Sequence, residues 1–412
     1  MDDVSREAEH ELLLLCTQAP FDEGSLARIE DLLDAAVDWT YLVETSIAHA
    51  VTPMLCRALD MVRPALVPVD VLAAAKTRLA ENRIHNGALT TELLRILDAL
   101  DNAGISAIPF KGPALAEICY GDSGLRSYRD LDFLVAKDAA AETVTVLRGL
   151  GYTGTGQISS KQQDFELSPR QDAALWHYAG EYLFFHTLKE VAIEPHWAFV
   201  PPTLGLDLDY EGIRERARHG VLMGRTVRML SPEDTVFGLA LHGAKEYWSR
   251  LQWIADLDRA MKHEAALDWD MLLAGCRRSG TLRILLVGLQ LVRTAFGTDL
   301  DARAASAIEG DPVAQRLAGR RFAALFDDAA DHHSNAVLSA EWLSLLPDFR
   351  NKLKYVFRTA ITPRVQHFEG FPLPDCLFPA YYAVKPAHDY IALPLWLLAD
   401  KLGVRRGGHR KS

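Results

Sequence analysis

The sequence predicts an α+β protein in which a mixed sheet core is flanked by N-terminal and C-terminal helical regions. Two changes of hydrophobic period carry this reading. Apolar residues recur at helical spacing from about Glu7 to Gly104, give way to short strand-like runs between Ile105 and Met229, and return to helical spacing after "LSPED". Three regions follow: 1–104 helical, 105–230 an α/β core and 231–412 helical.

In the first region "LARIEDLLDAAVDWTYLVETSIAHAV" and "HNGALTTELLRILDALDNAG" carry the helical pattern, with Pro53, Pro64 and Pro68 breaking the run. Asn102-Ala103-Gly104 forms a C-terminal stop signal that leads directly into the change of period. In the core "ISAIPF" reads as a buried strand, "GPALAEICY" as a short helix, "DLDFLVA" as a second strand and "DAAAETVTVLRGLGY" as a helix closed by Gly151. "EYLFFHTL" and "VAIEPHWAF" on either side of Lys189-Glu190 read as a hairpin, which gives the sheet antiparallel character. The third region opens on a helix start in which Ser231 caps, Pro232 takes the first position, and Glu233 and Asp234 suit the positive end of the dipole.

Composition narrows the function classes. With 49% apolar and 24% charged residues the chain has the balance of an ordinary globular protein, not a disordered one. A net charge of −11 disfavours general nucleic-acid binding, which needs a basic surface to displace counterions from phosphates. The basic run Arg405, Arg406, His409, Arg410 and Lys411 reads as a solvated tail. Five widely spaced cysteines without a Cys-x-x-Cys pair read as reduced core residues. The acidic N-terminus lacks the basic flank of a secretory signal, so a cytoplasmic protein is expected. The apolar run Tyr390 to Ala399 is about half the ~20 residues a membrane helix needs, so no membrane span is expected and the run reads as a helix packed on the core.

The chemistry concentrates in "RSYRDLDFLV". Strand alternation sends Asp130 and Asp132 to one face and Leu131, Phe133 and Val135 to the other. Two carboxylates on one face of a buried strand repel one another unless a cation sits between them, and such an oxygen-rich site suits Mg²⁺. Paired aspartates also occur on exposed strand edges, so the neighbours decide. Upstream, "IPFKGPAL" ends a strand in Lys111-Gly112 and opens a helix at Pro113. There a glycine lets phosphate approach the backbone, and a lysine and helix N-terminus supply positive potential. Arg126 and Arg129 are candidates for forked bonds to phosphate oxygens, or charge partners of nearby acids. In "VAIEPHWAF" Glu194 and His196 share a face; an adjacent antiparallel strand would aim Glu194 at the aspartates as a third carboxylate, with His196 as a substrate contact or structural group.

These residues resemble a large bacterial nucleotidyltransferase family within the DNA polymerase beta-like superfamily. The resemblance covers most of the chain and is carried by "KGPALAEICYGDSGLRSYRDLDFLV", "IEPHWAF", "LSPEDTVFGLALHGAKEYWSRLQWIADLDRAM" and "PLPDCLFPAYYAVKP". It implies a nucleotidyltransferase fold, metal ligation and catalysis by Asp130 and Asp132 with Glu194 in support, and phosphate contacts near Lys111 and Gly112. His242 and Lys245 become candidates for the nucleotide or acceptor pocket, on a helical face shared with Trp248, Arg250, Trp253 and Asp256. Two departures stand out: the superfamily's Gly-Ser turn is Lys-Gly here, and the third carboxylate is glutamate where aspartate is common.

The implied reaction is Mg²⁺-dependent, with one or two ions, and moves a nucleoside monophosphate from an NTP, ATP foremost, to an acceptor hydroxyl. Relatives among tailoring proteins of lasso-type peptides make a peptide one acceptor class and a small metabolite another. Kinase-like phosphoryl transfer to a peptide at the same site, and a non-catalytic nucleotide- or peptide-binding protein of this fold, are the alternatives.

Overall fold

The computed structural model describes residues 6–18, 20–62, 64–154, 167–263, 267–327 and 339–392. The basic run 405–411, and the apolar run beyond Ala392, lie outside the described residues.

Five helices open the chain: α1 (Glu7–Thr17), α2 (Glu23–Leu33), α3 (Trp39–Ala48), α4 (Thr52–Val62) and α5 (Val69–Asn102). The Asp22 and Asp38 carboxylates accept backbone N–H bonds from Ser25 and Tyr41, satisfying donors that the first turns of α2 and α3 leave open. Helix α5 runs for 34 residues and stops where Gly104 takes φ +77°, as its Asn-Ala-Gly sequence predicts. Its C-terminal half supplies Leu89, Leu93, Ile96 and Leu100 to the core beneath the sheet.

The five-stranded sheet has the order β1-β2-β5-β4-β3, from β1 (Ile108–Pro109), β2 (Asp130–Leu134), β3 (Thr153–Gly154), β4 (Phe184–His186) and β5 (Val191–His196). Helices α6 (Gly112–Leu115), α7 (Ala140–Gly149) and α8 (Pro169–Tyr178) lie between strands in the chain. The strand read over "ISAIPF" shrinks to two residues: Pro109 has no N–H for the ladder and the chain turns at Gly112. The expected hairpin at Lys189-Glu190 forms between β4 and β5, with Glu190 at φ +54°. One expectation is corrected. Strand β5 pairs with β2 in parallel, not antiparallel, with Asp132 opposite Glu194 and Asp130 opposite Ala192. Strand β5 thus lies between β4, to which the hairpin makes it antiparallel, and β2, beside which the hairpin as a unit docks in the parallel sense.

Alternation along β2 divides two cores. Leu131, Phe133 and Val135 join Ile193 against α5 and α7, whereas Leu134 faces a second core with Ile108 and Phe110. Phe133 is completely buried, so Phe133→Ala would cost about 3–5 kcal/mol. After α9 (Tyr210–Glu215), a separate hairpin pairs β6 (Arg218–Leu222) with β7 (Arg225–Met229). Its two turn residues, Met223 and Gly224, both have positive φ, which matches the twist of the strands they join.

Ten helices complete the described chain: α10 (Pro232–Lys245), α11 (Leu251–His263), α12 (Trp269–Ser279), α13 (Leu282–Phe296), α14 (Ala302–Glu309), α15 (Pro312–Ala323), α16 (Ala340–Leu345), α17 (Phe349–Ile361), α18 (Val365–Gly370) and α19 (Tyr381–Ala387). Ser231 caps α10 by accepting from the Asp234 N–H, as its sequence predicts. The single face expected from His242 to Asp256 is corrected: Tyr247 and Trp248 take φ +55° and +50° and reverse the chain between α10 and α11. Trp248 then packs on Gly243, where a β-carbon would meet its ring at 2.4 Å. Among the described residues no helix is long and apolar enough to cross a membrane.

Candidate active site

The site forms where β2, β5 and the start of α6 meet. Because β2 and β5 run in register, Asp132 and Glu194 stand side by side, with Asp130 and His196 one step away along the same face. Gly112 closes the strand-to-helix turn at φ +48°; a β-carbon there would lie 3.3 Å from the Asp130 carbonyl oxygen. Glycine thus brings Lys111 beneath the carboxylates, with its Nζ 3.0 Å from Asp132 Oδ1. His196 Nε2 meets the same oxygen at 2.8 Å and lies 3.6 Å from Glu194 Oε2.

A fourth carboxylate completes the cluster. Glu181, in the segment before β4, places Oε2 3.1 Å from His196 Nδ1 and Oε1 3.5 Å from Lys245 Nζ. Sequence reading passed over Glu181 because its contact is long-range: an isolated bridge pairs it with His196. Four carboxylates (Asp130, Asp132, Glu194, Glu181) therefore face three basic groups (Lys111, His196, Lys245) in a largely buried setting.

This imbalance shows in the titration of the groups. Burial, and then the Asp132 charge, push the Asp130 carboxyl up to about 6. Burial also opposes the Asp132 charge, but Lys111 and His196 outweigh it and hold that carboxyl far below the usual range. For His196, burial favours the neutral ring, yet Glu181 and Asp132 raise it to about 9. Lys111 is likewise held above the usual lysine range: Asp132, Asp130 and Glu194 outweigh the cost of burial. Burial and the Lys111 charge instead drive His242 well down, so it stands as a neutral ring.

The ligand atoms of Asp132, Glu194 and His196 lie within 4.8 Å of one another, and Asp130 adds a further carboxylate beside them. Three carboxylates on one face provide the hard oxygen donors that Mg²⁺ prefers. The contacts to Asp132 converge on Oδ1. The residues present therefore fit a divalent cation.

Asp130, Asp132 and Lys111 form one wall of a cavity of about 840 Å³. Arg78 and His85 of α5, Arg129, and Arg250 with Trp253 at the start of α11 line its other sides. Arg78, Arg129 and Arg250 make no ion pair among the described residues, although Arg250 lies 5.5 Å from the centre of the Trp253 ring. Arg126 reaches the cavity but is engaged elsewhere: Nε and Nη2 each donate to Asp256 at 2.9 Å, and Tyr120 donates to the same carboxylate at 2.5 Å. His242 lines the cavity, whereas Lys245 borders a separate cleft of about 300 Å³ with Glu181 and Arg364. The structure thus brings Asp130, Asp132, Glu194, His196, Lys111 and Gly112 together, adds Arg129 and His242 at the cavity, and commits Arg126 to a buried pair. Arg78 went unread because it comes from α5, far from the Asp-x-Asp strand in sequence, and Arg250, read only as part of a helical face, reaches the cavity from the segment just before α11.

Paired carboxylates in register on a mixed sheet, beside a Lys-Gly strand-to-helix turn, define a nucleotidyltransferase layout. The family described as uncharacterised nucleotidyltransferase matches residues 35–297, and the chain belongs to that family. The match reaches from α3 to the end of α13 and leaves "PLPDCLFPAYYAVKP" outside it. Among curated proteins none matches. A solution structure of the antibiotic-resistance factor ANT(2'')-Ia is similar at 16% identity, covering 58% of this chain and 96% of that chain with a TM-score of 0.25.

Proposed function

We propose that this nucleotidyltransferase binds an NTP in the 840 Å³ cavity and transfers its nucleoside monophosphate to an acceptor hydroxyl. The observation that carries the reading is the meeting of opposite charge patterns across one space: Asp130 and Asp132 beside Lys111 on one side, with Glu194 next to Asp132 on the neighbouring strand, and the unpaired Arg78, Arg129 and Arg250 among the other lining residues, which also include Glu81 and Glu190. A triphosphate with a divalent cation matches both. Its phosphate oxygens take the arginines and Lys111, and the cation takes the carboxylates.

Mg²⁺ held by Asp130, Asp132 and Glu194 would supply charge neutralisation at the phosphates and a lowered pKa for the attacking hydroxyl. The protein's own groups position the reactants. The arginines and Lys111 fix the triphosphate so that the acceptor oxygen approaches the α-phosphorus in line. A new oxygen–phosphorus bond forms, the bond from the α-phosphorus to the bridging oxygen breaks, and pyrophosphate departs. The hydroxyl proton passes to Glu194, whose side chain is 25% exposed against 3% for Asp132. His196, held near Asp132 and Glu181, keeps the surplus negative charge in place. The acceptor is a peptide or small-molecule hydroxyl, and ATP is the first donor to test.

The test is mass spectrometry of the protein incubated with Mg²⁺, each NTP and a panel of peptide and small-molecule acceptors, with Asp130→Asn/Asp132→Asn as control. A nucleotide-sized addition and pyrophosphate, both absent from the variant, support the reading. A phosphate-sized addition with nucleoside diphosphate would replace it with kinase-like transfer. NTP binding that the double variant retains unchanged would remove the carboxylates from the site.

A further inference from the structure

Helix α17 has two faces of different character. Asn351, Tyr355 and Thr359 recur every fourth residue and are buried, with Asn351 donating to the Ser279 carbonyl oxygen and Thr359 to that of Thr203. Phe349, Leu353 and Phe357 recur at the same interval on another side and are 78%, 58% and 61% exposed. The buried face anchors the helix, and among the described residues nothing covers the apolar stripe. It also lies beyond the region matched by the family, so the nucleotidyltransferase core does not account for it.

The charges of the helix are as one-sided as its apolar residues. Its 13 residues include Arg350, Lys352, Lys354 and Arg358 and no acid, in a chain of net charge −11. Lys354 and Arg358 pair with Asp207. Arg350 and Lys352, which at 100° per residue flank the stripe, have no ion-pair partner among the described residues. Two phenylalanines and a leucine on a convex helix, bordered by free cations, suit a surface that accepts apolar side chains to shallow depth and carries negative charge above them.

We propose that α17 docks the protein onto an anionic lipid surface, with Phe349, Leu353 and Phe357 entering the interface and Arg350 and Lys352 meeting the headgroups. An amphipathic helix with apolar residues on one side and cations at its margin lies in the plane of a bilayer in this way, and its binding weakens with salt. A partner protein would instead have to offer a groove for a convex stripe. Docking through α17 is reversible and leaves the catalytic cavity formed by other elements, so the enzyme would work beside a membrane without spanning it.

The test is co-sedimentation of the full chain with vesicles of phosphatidylcholine containing about one-third phosphatidylglycerol, and with vesicles of phosphatidylcholine alone. The expected result is preferential binding to the anionic vesicles that falls as salt is raised. Arg350→Ala with Lys352→Ala should lower it about 30-fold, from the usual attraction of two cations to an anionic surface. Phe349→Ser/Leu353→Ser/Phe357→Ser should lower it on the order of 100-fold. Since all three residues are exposed, an unchanged thermal midpoint would show that the triple variant still folds. Failure of the wild type to sediment with anionic vesicles at low salt, or equal sedimentation of the triple variant, would overturn the proposal. A dimer in sedimentation velocity that the triple variant loses, without vesicle binding, would overturn it in favour of a second copy of this chain.

Discussion

Two buried ion clusters lie close together in this protein, and they are built to opposite rules. At Arg126 every strong charge is matched: Asp256 takes both guanidinium donors in a fork, Tyr120 donates to the same carboxylate, and both ionic side chains are at most 5% exposed. At Asp132 the carboxylates outnumber the basic groups, and Asp130 is pushed up to about 6 by burial and by its neighbour's charge. A closed cluster holds helix α11 to the segment before β2; an open, overcharged one stores an unmet demand for positive charge. Arg126, for which the sequence leaves a phosphate contact and a charge pair both open, belongs to the first kind.

The largest effect that tests this contrast is on catalysis. Asp130→Asn/Asp132→Asn should lower nucleotidyl transfer on the order of 10³-fold or more, measured as pyrophosphate release in Mg²⁺. Asp256→Ala should act on folding instead, destabilising by about 3–5 kcal/mol in denaturant titration because it leaves Arg126 buried and unpaired. Asp130→Asn alone should do the reverse and stabilise the metal-free protein by about 1–3 kcal/mol at neutral pH, because a carboxyl raised above its unfolded value disfavours the folded state once ionised. If both substitutions destabilised alike, the two clusters would be of one kind.

The same linkage gives a pH signature. The raised Asp130 makes the metal-free protein lose stability as pH rises from about 3.8 to about 6. His196, raised from 6.5 to about 9, contributes stability that is fully present below pH 6.5 and lost as pH rises through about 9. Thermal midpoints across this range should therefore fall toward alkaline pH in the metal-free protein, and His196→Ala should flatten the upper part of the profile. The smallest effect is expected around the cavity. Arg78→Ala and Arg250→Ala should each weaken NTP binding by about 5- to 10-fold in calorimetry, while stability stays within about 0.5 kcal/mol, since neither has an ion-pair partner to abandon.

Much of this arrangement is legible in the chain. Alternation in "DLDFL" assigns Asp130 and Asp132 to one face and Leu131 and Phe133 to the other, and the structure keeps that division. The turn at Lys111-Gly112-Pro113 and the caps at Ser231 and Gly104 are equally local, because each depends on the backbone preferences of two or three neighbouring residues. What short-range pattern does not encode is which way a strand runs. Glu194 lies beside Asp132 because β5 is parallel to β2, a matter of hairpin placement within the sheet rather than of the residues in "VAIEP".

The sequence by itself therefore determined the class of fold, the strand that bears the paired aspartates, and the glycine that lets Lys111 approach them, since period and turn chemistry act over a few residues. Only the tertiary structure decided the partners of the charges. It joined Arg126 to Asp256 across 130 positions, Glu181 to His196, and Arg78 and Arg250 to a cavity they share with Asp130. Electrostatic interaction depends on distance in space, and the chain's order does not set that distance until the helices have packed.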